Sequence, residues 1–491
     1  MWTWNEGAKK RDRWLGLVVL AALLAACGGG RPTPGDGGGA GDGGTSSGDG
    51  GGEDGGAVDD DGAMPPPRGN FAAVSGTVWA PGNAPGMVPA GQEIPVFGAV
   101  IYLLAERPEP IPDHVYCQPC QEPPEGAIYA TSDHQGRFVV SGVVPGDYWL
   151  VIEKGQFRLE RQISLAPREV ADLPAELTTL PSVHNPAIGN WVPRIAIATG
   201  SFDDLEDVIG KMGIGGVDGE HLFTEGPGSD RIDFYANGGR TDVPRMRGNL
   251  AQLVADRDRL MQYHIIFIPC SGSANTGALQ NPDVLRNLQA YVAEGGKLYV
   301  TDWSGEWHDN VFPAFVKLEG SSEDTPPEAF DAGDLSTRDD DSWDPSLFGD
   351  ANGSLYDAED AEAADDDLRQ WLDGQLAPVA ESSSVMPVDA SNFLAADNWN
   401  TILDTPDVPI GVGDEGTVYG KAKAWVIGTS SYGPGRKTPL TVTYEPTGCG
   451  RVLFTTYHTT PDAHAGLVPQ ERVLLYLVME IGVCKSGPIL M

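Results

Sequence analysis

Residues 262–303 read QYHIIFIPCSGSANTGALQNPDVLRNLQAYVAEGGKLYVTDW, a sequence that predicts a strand, a loop, a helix and a second strand. The nearly continuous apolar run His264–Pro269 is typical of a strand that is buried on both faces of a parallel sheet. Asn281 is suited to cap the start of the helix, and Gly295–Gly296 ends it. These local signals make residues 262–303 the unit around which the C-terminal part of the chain is arranged.

The second strand of this unit, Lys297–Thr301, is followed directly by Asp302. In open α/β sheets ligands bind beyond the carboxyl ends of the strands, so Asp302 marks a candidate site. Strands continue to alternate with helices across residues 191–485, which predicts a doubly wound parallel sheet. A long acidic insertion, residues 305–420, interrupts this alternation.

The length and charge of the chain limit the functions it can serve. A chain of 491 residues is long enough for two or three domains with real cores. Its formal net charge of −38 lacks the basic footprint of a nucleic-acid-binding protein. We therefore predict no nucleic-acid partner, and we interpret the acidity as a contribution to solubility.

The N-terminus has the pattern of an export signal. The basic residues Lys9, Lys10, Arg11 and Arg13 precede the apolar run Trp14–Leu24, which is too short for a stable membrane span. The run ends in LAACG, with Cys27 as its cysteine, and this resembles the lipobox of bacterial lipoproteins. The resemblance implies a signal peptide at residues 1–26 and lipidation of Cys27. It also implies an outer-membrane anchor, on the periplasmic face or the cell surface; the alternative is an ordinary signal peptide with an incidental cysteine.

The segment that follows the lipidation site is rich in glycine and aspartate. Residues 27–70 contain few apolar side chains, so they cannot repay the entropy of ordering, and we predict a disordered tether. Short strands separated by Gly and Pro turns then predict a small all-β domain at residues 71–173. Residues 174–190 are expected to form a linker.

Four motifs of the all-β domain carry a family resemblance. They are GTV at 76–78, VFGAVIYL at 96–103, TSDHQGRF at 131–138 and VPGDYWL at 144–150. Together they resemble the carboxypeptidase regulatory-like domain, which implies a prealbumin-like β-sandwich with a carbohydrate-binding-like fold and no catalysis of its own.

Three aromatic residues of this domain have two interpretations. Trp79, Tyr148 and Trp149 can pack in the core or in turns, or they can stack on a sugar ring. Because side chains alternate along a strand, Tyr148 and Trp149 point to opposite faces, and only one of them can be core.

The C-terminal part resembles a second family. YHIIFIPCSG, LQAYVAEGGKLYVTDW and GRVLFTTYHT are similar to class I glutamine amidotransferase-like and ThuA-like proteins, which implies a flavodoxin- or amidotransferase-like α/β domain. Thr301–Trp303 stands at the nucleophile elbow of that family and contains no cysteine. His458 is followed by threonines where the family has His-x-Glu, so we expect no amidotransferase catalysis. With its lipobox and regulatory-like domain, the whole arrangement also resembles myxobacterial lipoproteins.

Two uses of the strand-end edge stay open. The first is a binding cleft formed by Asp302, Trp303, Trp307, His308 and His458. The second is a hydrolase that uses Cys270, His458 and Glu471, or a metal ion in the same cleft, since strand ends converge in such folds. The competing interpretation of Cys270 is a buried thiol that behaves as a small apolar side chain.

Disulfides are expected in an oxidising compartment. Cys117 and Cys120 share a Pro-rich loop, which favours a local disulfide over a redox site at a helix N-terminus. Cys449 and Cys484 flank the last strand and helix, and we predict a second disulfide there.

Clustered acidic residues in the insertion make calcium a weak alternative to a solvated acidic loop. The candidate ligands are Asp339, Asp341, Asp350 and Asn352. They do not match the spacing of an EF-hand, and we predict no other metal and no other cofactor.

These patterns together predict a multidomain cell-envelope lipoprotein without catalysis, whose membrane partner is reached through the lipid on Cys27. We expect it to bind or scaffold an envelope glycan or an envelope protein. The alternatives are the hydrolase at Cys270 and His458, and a purely structural envelope component.

Overall fold

The computed structural model describes residues 69–117, 123–124, 126–272, 275–319, 355–378, 385–413, 416–430, 435–446, 448–459 and 464–480. Several predictions lie outside these residues, namely the signal peptide, Cys27, nearly all of the tether, Cys120, Cys484 and the calcium candidates Asp339, Asp341, Asp350 and Asn352. The described chain is mostly β-sheet and belongs to one compact unit, residues 56–491. Within it, no helix combines the length and the apolar character needed to cross a bilayer.

The N-terminal part of the described chain is built from short strands. They are β1 (Ala72–Thr77), β2 (Val100–Leu104), β3 (Ile128–Thr131), β4 (Arg137–Val143), β5 (Gly146–Lys154), β6 (Phe157–Leu165), β7 (Val170–Asp172) and β8 (Asn190–Trp191).

These strands form two sheets, ordered β4-β1-β7 and β3-β2-β5-β6-β8. Val74 of one sheet and Ile152 of the other are fully buried in the same core. Alternate residues of each strand supply this core, because successive side chains point to opposite faces. Two sheets packed face to face confirm the predicted β-sandwich at this level of description.

The remaining strands are β9 (Ile195–Thr199), β10 (Gly216–Val217), β11 (Phe223–Thr224), β12 (Ile232–Ala236), β13 (Met246–Asn249), β14 (Ile265–Ile268), β15 (Lys297–Thr301), β16 (Lys317–Leu318), β17 (Tyr356–Ala363), β18 (Leu376–Pro378), β19 (Val385–Pro387), β20 (Phe393–Asn398), β21 (Ile402–Asp404), β22 (Asp407–Gly413), β23 (Gly416–Lys421), β24 (Lys423–Thr429), β25 (Lys437–Tyr444) and β26 (Arg451–Thr455). The helices are α1 (Leu205–Lys211), α2 (Leu250–Ala255), α3 (Arg257–Leu260), α4 (Pro282–Ala293), α5 (Glu306–Asp309), α6 (Asp366–Asp373) and α7 (Pro469–Glu480).

One large sheet runs through this second part in the order β13-β12-β9-β14-β15-β26-β25-β24-β17-β20. The pairs from β13 to β26 are parallel, and the pairs from β26 to β20 are antiparallel. The carboxyl ends of β9, β14, β15 and β26 therefore lie at one edge of the sheet. The segment predicted as an insertion supplies β17 and β20 to this same sheet.

The central strands are buried on both faces. In β9, Ile197 joins the core that includes Val208 of α1, and Ala198 joins the core that includes Leu288 of α4. This arrangement explains the continuous apolar runs of the sequence, since both faces are covered. The predicted helix at the organising unit is α4: Asn281 accepts a hydrogen bond from the Asp283 amide, and Gly295 follows with φ 105°.

A disulfide joins the sandwich part to the large sheet. Cys117 is bonded to Cys449, with 5.5 Å between the Cα atoms and a sequence separation of 332 residues. The predicted pairs Cys117–Cys120 and Cys449–Cys484 are therefore wrong. Both bonded cysteines meet at the end of α4: a side chain at Gly295 would clash with the Tyr116 carbonyl, and the Cys449 amide donates to the Ala293 carbonyl. Pairing by proximity in sequence missed this tertiary contact.

We expect peptide mapping without reduction to recover one crosslinked peptide pair that contains Cys117 and Cys449. The Cys120→Ser variant should keep this crosslink, whereas Cys117→Ser should abolish it and lower the free energy of unfolding by roughly 2–5 kcal/mol. Mass spectrometry of the digests measures both effects. A dominant Cys117–Cys120 or Cys449–Cys484 peptide would contradict the pairing.

A buried acid in α1 makes stability depend on pH. Glu206 is 1% exposed, and one of its carboxylate oxygens has no hydrogen-bond partner among the described residues. Burial, with smaller contributions from the neighbouring Asp204 and Asp207, raises the pKa of Glu206 to about 8. Because the pKa of Glu206 in the folded state lies above its ordinary value, the protonated acid contributes fully to the free energy of unfolding at low pH. This contribution is lost as the pH rises toward 8.

Replacing this acid by an amide should remove the pH-dependent cost. Glu206→Gln should stabilise the protein at pH 8 by an amount on the order of 2 kcal/mol, and by much less at pH 4.5. Urea unfolding at the two pH values provides the measurement, with the exposed Glu220→Gln variant as control. An equal change in unfolding free energy at both pH values would refute this explanation.

Candidate functional site

Three side chains of different chemistry converge at the strand-end edge. Cys270 follows β14, Asp302 follows β15 and His458 follows β26, and these strands are neighbours in the sheet. One potential ligand atom from each residue lies within 4.8 Å of the other two. All three side chains are buried, with exposures of 0%, 0% and 5%.

Asp302 stands between the other two residues. Its Oδ2 lies 3.8 Å from Cys270 Sγ and 3.6 Å from His458 Nε2. Neither ring nitrogen of His458 has a hydrogen-bond partner in the part of the chain that the structure describes. The site therefore holds a thiol, a carboxylate and an unsatisfied imidazole close to one point.

The backbone and a distant loop fix the position of Asp302. Its φ is 44°, a left-handed conformation that non-glycine residues rarely adopt. Its Oδ1 accepts hydrogen bonds of 3.0 Å from the amides of Trp399 and Asn400, and the Asn400 side chain donates to the Asp302 carbonyl at 2.7 Å. These contacts leave Oδ2 directed to the cluster.

A second buried acid, Asp203, supports the cluster from the loop that follows β9. The Cys270 amide donates to Thr301 Oγ1 at 2.6 Å, and the Thr301 hydroxyl donates to Asp203 Oδ2 at 2.7 Å. The other Asp203 oxygen accepts from the amide and the hydroxyl of Thr459. Asp203 thus connects the carboxyl ends of four adjacent parallel strands, β9, β14, β15 and β26.

Burial controls the protonation of these groups. It raises the pKa of Asp302 and of Asp203, since a charged carboxylate loses its hydration in the interior. Burial, together with the nearby charges of Asp302 and Asp203, also raises the pKa of the Cys270 thiol. These surroundings are the opposite of those that activate a cysteine nucleophile.

The other predicted site residues lie elsewhere. The short helix α5 turns Trp307 and His308 into the core, where they are 1% and 0% exposed, and His308 Nδ1 is 3.0 Å from the Tyr444 hydroxyl.

Glu471 forms a buried ion pair with Lys211 at 3.2 Å. Among the described contacts, no hydrogen bond joins Glu471 to Cys270 or His458. Cys270, Asp302 and His458 form a buried cluster, in place of the predicted open cleft and of the predicted Cys270–His458–Glu471 arrangement.

Aromatic rings lie next to this cluster on the solvent side. Trp303 contacts Trp399 with 4.5 Å between ring centroids and Phe202 with 5.4 Å. Trp303 and Trp399 are half-buried, and Phe202 is 47% exposed. Sequence reasoning found Trp303 but missed Phe202 and Trp399, because Trp399 reaches the edge from the segment predicted as an insertion.

A second candidate region is a groove of about 230 Å³ on the sandwich. It is lined by Ala105, Asp147, Tyr148, Trp149, Gln162, Ile163 and Ser164. Tyr148 packs against the sandwich core, whereas Trp149 carries the guanidinium of Arg107 at 5.2 Å from its ring centroid. The expected alternation is confirmed, with Trp149 on the outer face. Trp79 lies elsewhere, half-buried and bridged to Pro95 and Thr179.

Comparison with known proteins gives no family assignment. No family model matches the chain, and no curated protein matches it.

Some solved structures match parts of the chain at low identity and low structural similarity. A minor pilin of Streptococcus agalactiae is 14% identical over 24% of this chain, with a TM-score of 0.15, and the match covers 47% of that pilin. A cytoplasmic protein of Salmonella typhimurium is 14% identical over 59% of this chain and 97% of its own length, with a TM-score of 0.27. A second cytoplasmic protein of that organism is 11% identical over 68% of this chain and 95% of its own length, with a TM-score of 0.23. These scores are too low to define the fold of the chain.

We expect Cys270 to resist iodoacetamide in the folded protein, with EDTA present, and to react only after denaturation, because its side chain is completely buried. Mass spectrometry of the peptide that contains Cys270 measures the reaction site by site. An exposed Ser391→Cys variant provides a thiol that should react in the folded state. Rapid native labelling of Cys270 would revive the cysteine-hydrolase hypothesis.

Proposed function

We propose that the protein is an outer-membrane-anchored lipoprotein that binds an envelope glycan without catalysis. The anchor is supported by the lipobox-like segment that ends at Cys27. The binding function is supported by one observation above the others, the groove on the sandwich where Trp149 stands among polar side chains.

The strand geometry places the polar groups beside Trp149. Gln162 lies directly opposite Trp149 in the β5–β6 pair, and Ser164 lies opposite Asp147 two residues away. Residues at these positions share one face of the sheet. A Ser164 hydroxyl that donates to Asp147 at 2.6 Å holds this carboxylate in place.

This chemistry suits a sugar. An indole ring offers a flat apolar surface for the C–H face of a pyranose, and carboxylate and amide groups pair with its hydroxyls. Arg107 fixes the indole from one side and is itself held by Glu160 at 2.8 Å. A groove of about 230 Å³ lies below the usual range of about 300–1,000 Å³ for ligand pockets, which favours one sugar unit or the end of a chain.

The residues at the strand-end edge bear on the alternative of a cysteine hydrolase. Cys270 is fully buried, and Glu471 is engaged with Lys211. These observations disfavour the cysteine hydrolase.

We also infer that the large sheet is a flavodoxin- or amidotransferase-like α/β domain and that the sandwich is prealbumin-like. Apart from the short edge strand β13, the parallel strands are β9, β12, β14, β15 and β26, numbered 1 to 5 in chain order. In the sheet they lie in the order 2-1-3-4-5, which is that of flavodoxin-like sheets. Helices on both faces of these strands agree with this class.

The glycan proposal is tested with the peptidoglycan disaccharide of N-acetylglucosamine and N-acetylmuramic acid, titrated against the purified chain by calorimetry. We expect saturable binding that weakens roughly tenfold in Trp149→Ala, since aromatic stacking contributes on the order of 1 kcal/mol. Tyr129→Ala is the matched control, because Tyr129 is 57% exposed on β3 and lies outside the groove lining. Equal affinity in wild type and Trp149→Ala, or no binding of the disaccharide, would overturn this assignment.

A further inference from the structure

We propose that Cys270, Asp302 and His458 form a binding site for one divalent transition-metal ion, with Zn²⁺ as the best match. The observation behind this proposal is that three different types of ligand lie within 4.8 Å of one another at the carboxyl ends of β14, β15 and β26. This inference is independent of the glycan proposal, because it concerns a different part of the molecule.

The separations of the ligand atoms suit a tetrahedral ion. Bond lengths of about 2.0–2.3 Å place two ligands of a tetrahedral zinc site roughly 3.3–3.8 Å apart. Asp302 Oδ2 is 3.6 Å from His458 Nε2 and 3.8 Å from Cys270 Sγ, which meets this requirement. The remaining pair lies within 4.8 Å, so a shift of about 1 Å completes the geometry.

His458 supplies an independent indication of a ligand. Its side chain is 5% exposed, and neither ring nitrogen has a hydrogen-bond partner among the residues that the structure describes. A buried polar group without a partner costs free energy, and buried histidines are normally satisfied. A metal ion at Nε2 provides the missing interaction.

Charge balance also favours an ion of charge +2. A thiolate at Cys270 and a carboxylate at Asp302 together carry two negative charges, and a neutral imidazole at His458 adds none. One divalent cation neutralises the set, so that the thiolate and the carboxylate can both be charged at 3.8 Å from each other inside the protein.

The kind of donor selects the kind of metal. Sulfur and imidazole nitrogen are ligands of zinc and of its neighbours in the transition series, whereas Ca²⁺ and Mg²⁺ prefer oxygen alone. Three protein ligands leave a fourth coordination position for water or for a small ligand.

The surrounding hydrogen bonds already hold two of the ligands in place. The amides of Trp399 and Asn400 bind the oxygen of Asp302 that does not face the cluster. The Cys270 amide is held through the Thr301 hydroxyl to Asp203. Such outer contacts orient ligands in metal sites.

The test uses the full chain after removal of metals with EDTA and dialysis, with Co²⁺ and Zn²⁺ as probes. We expect one equivalent of Co²⁺ to produce a thiolate-to-cobalt charge-transfer band, and one equivalent of Zn²⁺ to displace it. Bound Zn²⁺ should also raise the melting temperature of the wild type. Excess Ca²⁺ should do neither.

Variants locate the ion. Cys270→Ala should abolish the charge-transfer band, and His458→Gln should weaken Zn²⁺ binding at least about 100-fold, more than the loss of an outer-shell contact. His464→Ala is the control, because His464 pairs with Glu471 and should leave binding unchanged. Circular dichroism verifies that each variant is folded, and the Zn²⁺-dependent shift in melting temperature reports binding separately.

Three results would overturn the proposal. They are a band that survives in Cys270→Ala, equal affinity for Ca²⁺ and Zn²⁺, and binding that fails to saturate at one equivalent. If Cys270→Ala does not fold, His458→Gln decides: a folded His458→Gln with wild-type affinity for Zn²⁺ also overturns it.

Discussion

Two buried carboxylates hold the strand ends of the large sheet in register. Asp203 connects the carboxyl ends of β14, β15 and β26 through Thr301 and Thr459. Asp302 connects β15 to the loop after β20 through two backbone amides. Each carboxylate is buried, so its polar contacts offset the loss of hydration. Removing one set of donors would leave an uncompensated acid in the interior, which is why the arrangement of this edge depends on both residues.

The sequence predicts the local elements of this architecture better than their tertiary contacts. Helix α4 is predicted with its cap at Asn281 and its end at Gly295, because both signals lie within a few residues of the helix. The rule that strand ends converge also brings Cys270, Asp302 and His458 together as expected. The sequence patterns did not predict the orientation of side chains or the contacts between residues that are distant in the chain. No periodic pattern in the sequence predicts that α5 buries His308, that the Trp399 amide binds Asp302, or that Cys117 is bonded to Cys449.

The two candidate regions differ in what they can accept. The groove beside Trp149 carries its polar groups on the outer face of a sheet, so it suits one sugar unit or the end of a glycan chain that stays in solvent. The cluster at Asp302 is enclosed and carries a thiol and an imidazole, which suits an ion. The groove lining and the cluster have no residue in common, so a mutation can alter one set of side chains without replacing a residue of the other.

The disulfide between Cys117 and Cys449 has a mechanical consequence. A lipid anchor at the N-terminus would transmit pulling forces to the folded part of the chain, and the crosslink closes a loop across a sequence separation of 332 residues. Tension that acts between the N-terminus and the residues after Cys449 passes through the disulfide and bypasses the residues between the two cysteines. The contour length of this closed loop is roughly 1,100 Å at about 3.4 Å per residue. Most of the sandwich and nearly all of the large sheet belong to the loop, so they carry no such tension while the disulfide is intact.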